Sequence, residues 1–145
     1  MTAMPASGAP LWIGALWAAW LIVMLFHVEL GLMPLFHGQS VEIKSEVPLA
    51  RLPRLFMAML LYLMVPVLAM LLAFHAAAEP LNWSARPIWR ASQWWLSLGY
   101  SVTNVIHLVA DIRLPDARRD QIVLMLALTL IGLLLNGATW VWWRG

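Results

Sequence analysis

The chain has 145 residues, 63% of them hydrophobic and 11% charged, and its mean hydropathy is +0.80. That lies outside the range of soluble domains, and the apolar stretches leave no room for one beside them. There is no cysteine, which excludes disulfides, thiolate metal sites, iron–sulfur clusters, covalent haem attachment and cysteine nucleophiles, and the formal charge of +2 comes from few residues, so it reads as a membrane-orientation signal and not as nucleic-acid binding.

A spanning helix needs about 20 mostly apolar residues, and four such stretches fit: roughly 11–33, 54–78, 93–113 and 121–143. The expected fold is therefore an all-α integral membrane protein, an antiparallel four-helix transmembrane bundle forming a single membrane domain. The first ten residues carry no Lys or Arg, and the apolar run beginning at Leu11 continues to Met33. A signal peptide has a basic start and a shorter apolar core, so this run reads as a retained helix. Pro34 is expected to end or bend it. His27 and Glu29 lie near its far end, about 200° apart around a helix, so they face different ways. His27 shares a face with Trp17, Trp20, Met24 and Gly31; Glu29 shares one with Ile22, Phe26 and Met33.

The first loop, from His37 to Pro53, is mixed in charge and bracketed by prolines, so part of it is expected along the membrane surface. The second span carries Pro66 near its middle, where a kink with carbonyls satisfied by neighbouring helices is expected. Tyr62 lies about one turn earlier, and His75 near the far end. Met57, Met59, Met64 and Met70 do not share one tight face, so they read as packing residues and not as a soft-metal site. The second loop reads as Glu79 to Gln93. In the third, Pro115 and Asp116 suit a helix start. The last span holds Thr129, Gly132, Asn136, Gly137 and Thr139, which favour close helix contact.

The third span, Trp94 to Asp111, is the most informative. It carries Ser97, Tyr100, Ser101, Asn104, His107 and Asp111. At about 100° per residue, all fall within about 60° of Asn104, so they form one stripe. Ionisable residues in a membrane face protein or water, which points the stripe at other helices. His27 and His107 each lie six residues inside the same end of their spans, ~9 Å deep at ~1.5 Å per residue. Glu29 and Asp111 lie nearer the surface on that side.

Two chemistries follow. Facing histidines at equal depth suit the axial ligation of haem b, with Gly31 leaving room for the macrocycle. Imidazole and carboxylate together, from His27, Glu29, His107 and Asp111, suit a divalent metal such as zinc, iron or manganese. Either makes the chain a small redox-type membrane subunit. A subunit with no cofactor, acting as an assembly scaffold, and a proton or cation path are the alternatives. For the scaffold, the ten tryptophans matter: all lean toward the half that bears the termini. Lys44, Arg51, Arg54, Arg113, Arg118 and Arg119 flank the opposite side, against Arg86, Arg90 and Arg144 on the terminal side. The expected location is a bacterial inner membrane with both termini periplasmic. The expected partners are the lipid bilayer and other membrane subunits or further copies of the chain. No P-loop, nucleotide-binding glycine pattern, nucleophile elbow or HExxH metal motif is present, so no reaction is assigned.

Overall fold

A computed structural model of the chain describes residues 8–39, 48–79, 83–114 and 118–145. Lys44, the central part of the first loop and the helix start at Pro115 and Asp116 lie outside the described residues. The described residues form four long helices: α1 (Ala9–Phe36), α2 (Leu52–Ala78), α3 (Pro87–Arg113) and α4 (Arg119–Arg144). Short 3-10 turns at Leu49–Arg51 and Trp83–Ala85 precede α2 and α3.

Three segments are long and apolar enough to cross a membrane: Ala9–Phe36, Leu49–Ala78 and Arg119–Arg144. The expectation that all four qualify is corrected for α3. At 27 residues α3 has the length, but Gln93, Ser97, Tyr100, Ser101 and Asn104 lower its apolar content, and all five are buried. Most of the polar residues that lower the apolar content of α3 are thus ones the other helices cover, with His107 exposed. α3 also begins earlier than expected, at Pro87. Proline has the right φ for the first turn of a helix and lacks only an N–H that has no intrahelical partner there. The same holds for Pro10 and Pro53, each in the opening turn of its helix.

α1 buries Ile13, Trp17, Trp20, Met24 and His27, spaced alternately by four and three residues. That is the single face expected for His27, while the face of Glu29, with Ile22, Phe26 and Met33, is exposed. Pro34 does not end α1; the helix continues to Phe36. Placed so late, it removes one helical bond, the one to the Leu30 carbonyl. The helix closes at Gly38, where φ is +68°, with Gly38 N–H donating to the Leu35 carbonyl and Gln39 N–H to that of Pro34. This is a Schellman cap, and glycine enters its left-handed position without a Cβ clash.

α2 buries only Pro66, Ala69, Ala73 and Ala76. It packs along α1, and its approach to α3 is less close, carried by long polar side chains. Pro66 leaves the Tyr62 carbonyl without its helical donor. The Tyr100 hydroxyl of α3 donates to that carbonyl at 2.5 Å. Replacing Tyr100 with Phe is expected to lower stability by about 1–3 kcal/mol, because the carbonyl then stays buried with no donor. Unfolding in mixed micelles, followed by circular dichroism, measures this; a change indistinguishable from zero contradicts the account.

The interior is built around an aromatic group. Trp17 and Trp20 meet Tyr100 edge to face at centroid distances of 5.6 and 5.2 Å, and Tyr62 lies 4.8 Å from Tyr100. Edge-to-face pairs set ring edges against the negative faces of their neighbours. Polar bonds set the register. Along α3, Gln93 meets Trp17 of α1, and Asp111 meets His27. Against α2, Gln93 meets Ala69 and Thr103 meets Tyr62. Against α4, Ser97 meets Thr139, Ser101 meets Asn136, and Asn104 donates to the Leu128 carbonyl. α3 packs tightly on α4 at Gly132, where a Cβ would lie 2.8 Å from Ser101 Oγ and 3.3 Å from Asn104 Nδ2. Only a residue without a side chain allows this approach.

Candidate metal centre

The stripe divides into two parts with different chemistry. Its upper part, Gln93 to Asn104, is interhelical bonding. Gln93 is fully buried; it accepts from Trp17 Nε1 at 2.8 Å and donates to the Ala69 carbonyl at 2.8 Å, so one amide joins three helices. Gln93 was not among the sequence candidates. The signal for it was its place four residues before Ser97, on the same helical face.

The lower part is the site. His107 and Asp111 stand one turn apart on α3, and His27 reaches them from α1. Asp111 Oδ2 lies 3.8 Å from His27 Nε2, and Asp111 Oδ1 lies 3.8 Å from His107 Nε2. One ligand atom from each residue falls within 4.8 Å of the other two. These three are the one such group among the described residues. Two ligands bound at ~2.0–2.2 Å to one tetrahedral ion lie about 3.3–3.6 Å apart, so each 3.8 Å pair has only a few tenths of an ångström to close.

Some of the buried polar atoms without hydrogen-bond partners lie at this end of the bundle; others are at Trp20, Ser84, Trp89, Asn104 and Asn136. Asp111 Oδ2 and His27 Nδ1 are buried and make no hydrogen bond, and so are both amide atoms of Gln121 on α4. Gln121 stands beside His27. It is the second residue missed from the sequence; it shares its face with Met125, Leu128 and Gly132, the buried side of α4. An amide beside a ligating imidazole orients the ring and fixes which nitrogen carries the proton. Burial differs across the group. The His27 and Asp111 side chains are 10% and 14% exposed, whereas that of His107 is 47% exposed.

Two candidate features fall away. Glu29 is exposed and stands outside the group, because it lies on the opposite side of α1 from His27. The rings of His27 and His107 meet edge to face, 5.2 Å between centroids and 86° between planes. A haem held by both has to lie between them, and this pair, with Asp111 against both Nε2 atoms, leaves no slot for a macrocycle. The space imagined at Gly31 faces the Gln121 amide, 3.7 Å from where a Cβ would be. The residues present fit a small ion and do not fit haem b. What the arrangement offers is two neutral imidazoles and one carboxylate, a set that suits zinc, iron or manganese. With three protein ligands, a tetrahedral ion keeps a fourth position open.

Comparison with protein-family models, with curated proteins and with solved structures gives no match for this chain.

Proposed function

We propose that the chain is a small integral membrane protein whose four helices cross the bilayer in antiparallel order, and that it holds a divalent transition-metal ion between α1 and α3 through His27, His107 and Asp111. The observation that carries this reading is the convergence of the three ligand atoms within 4.8 Å from helices far apart in sequence. Unpaired polar atoms on His27, Asp111 and Gln121 support it, because buried polar groups normally have partners. Three apolar helices support insertion. The fourth crosses with its polar stripe turned inward and Val102, Val105, Ile106 and Val109 turned outward. The register of contacts along α3, rising on α1 and falling on α2 and α4, supports the antiparallel order. The basic residues flanking the metal-bearing end favour that side as cytoplasmic, so the termini are periplasmic if the membrane is a bacterial inner membrane.

A redox-type subunit is the role such an ion suits when it is iron or manganese. A cofactor-free scaffold is the second reading. Its support is a stacked tryptophan face at the other end: Trp94 lies 5.2 Å from both Trp140 and Trp143, and Trp95 packs on Trp94 at 4.5 Å. Exposed aromatic surface suits partner contact, whether the partner is another membrane subunit or a second copy.

Elemental analysis of protein purified from membranes, followed by titration with zinc and iron(II), tests the metal reading. About one tightly bound divalent ion per chain is expected. Protein that arrives without metal and takes up none on titration leaves the scaffold. Reporter fusions at Lys44 and Arg118 test the topology: cytoplasmic signals are expected from both, and a periplasmic signal from either reverses the orientation.

A further inference from the structure

The exposure of His107 has a chemical consequence. The side chain is 47% exposed, on a helix whose neighbouring Val105 and Ile106 are also exposed. On a spanning helix this surface meets lipid, and an imidazole bare to acyl chains is unfavourable. His107 opens onto a cleft between α1, α2 and α3, where α2 leans on α1 and stands off from α3. The cleft has two adjoining parts that share Tyr62 and His107. One, of about 360 Å³, has Met24, Ala58, Met59 and Leu63 among its walls. The other, of about 400 Å³, is bounded by Thr103 and Ile106.

We infer that this cleft is a binding site for a neutral quinol. Three features select that chemistry. First, the lining has no Lys, Arg, Asp or Glu, so nothing pairs with the phosphate of a phospholipid or the carboxylate of a fatty acid. Second, the polar groups are the imidazoles of His27 and His107 and one hydroxyl pair. Thr103 Oγ1 donates to the Tyr100 carbonyl at 2.9 Å, so in the 2.7 Å bond between the two hydroxyls Tyr62 donates and Thr103 accepts. The Tyr62 oxygen is left as an acceptor, and so is His107 Nδ1 when Nε2 turns its proton toward the Asp111 carboxylate. A ring with hydroxyls at opposite ends answers both: one donates to His107 Nδ1, or accepts from it when an ion holds Nε2, and the other donates to Tyr62. Third, the remaining walls are thioether and aliphatic, suited to a flat ring and an alkyl tail, and Met24 and Met59 are adaptable enough to close on them. The cleft opens sideways toward the exposed Met59 and Ile106, the route by which a membrane-dissolved molecule arrives. This assignment rests on the membrane reading and shares His27 and His107 with the metal centre, but it does not require the ion.

The test is equilibrium dialysis of decylbenzoquinol against the purified full-length protein in nanodiscs, with metal content measured on the same samples. Saturable binding is expected. Ala58→Phe fills the cleft without replacing a metal ligand and is expected to weaken binding about tenfold or more. Tyr62→Phe keeps the ring, removes the acceptor, and is expected to weaken binding about three- to tenfold. Leu71→Phe places the same ring on an exposed face of α2 outside the cleft and is expected to leave binding unchanged. Uptake that only follows partitioning into the bilayer, or saturable binding that neither Ala58→Phe nor Tyr62→Phe weakens, overturns the proposal. Saturable, Ala58-sensitive binding to protein that arrives without metal and takes up none on titration upholds the cleft and removes the metal reading. Metal-loaded protein without saturable binding does the reverse.

Discussion

Asp111→Asn is expected to weaken binding of the divalent ion by roughly a hundredfold, ~3 kcal/mol, and to leave the helical fold in place. The substitution is nearly isosteric, so packing around α1 and α3 is preserved. What changes is charge. Asp111 supplies the only anion in the group, and each of its oxygens stands 3.8 Å from one imidazole nitrogen. Two neutral imidazoles and an amide neither balance a divalent cation nor offer a second anionic oxygen. In the metal-free protein the effect on stability runs the other way. Asp111 Oδ2 is buried with no hydrogen bond, and an unpaired carboxylate out of water is unfavourable. The metal-free variant is therefore expected to be no less stable than the parent chain. Titration calorimetry with zinc, with circular dichroism on the same samples, reads both quantities. Lowered stability with unchanged metal affinity makes the cluster a polar clamp between helices. Asn104→Leu is the contrast: Asn104 is buried against Gly132 and donates to α4, so bulk there is expected to lower stability and spare the ion.

A large loss of stability is expected from Gln93→Leu. The Gln93 amide is completely buried and uses both ends, accepting from Trp17 on α1 and donating to Ala69 on α2. Leucine matches its size and removes both bonds, which leaves the Trp17 indole N–H inside the bundle without an acceptor. A loss of about 1–3 kcal/mol follows; the lower end reflects the membrane-unfolded state, where polar groups also find partners. Unfolding in mixed micelles measures it. Ser97→Ala is the comparison, because Ser97 bonds a Thr139 hydroxyl that also bonds the Leu135 carbonyl within its own helix, so little is left unsatisfied. A ranking in which Ser97→Ala costs as much as Gln93→Leu contradicts this view of the interior.

Periodicity in the sequence was enough to separate the faces of α1. A spacing of two residues puts His27 and Glu29 on opposite sides, and the structure buries one with Trp17 and Trp20 and exposes the other. It was enough to align Ser97, Ser101, Asn104 and Asp111 on α3, and to expect a neighbour at the carbonyl freed by Pro66. These are properties of one helix at a time, set by its turn and by the chemistry of proline. What lay beyond reach was everything that depends on how one helix is rotated and shifted against another. The equal depth of His27 and His107 was legible, but equal depth is as compatible with a haem slot as with two rings in contact; the packing of Trp17 and Trp20 onto Tyr100 decides the separation. The identity of the donor at Tyr62 and the arrival of Gln121 beside His27 were hidden for the same reason. Each is a contact between residues tens of positions apart, and in an apolar helix nothing local marks the residue that will meet a partner from the one that will meet lipid.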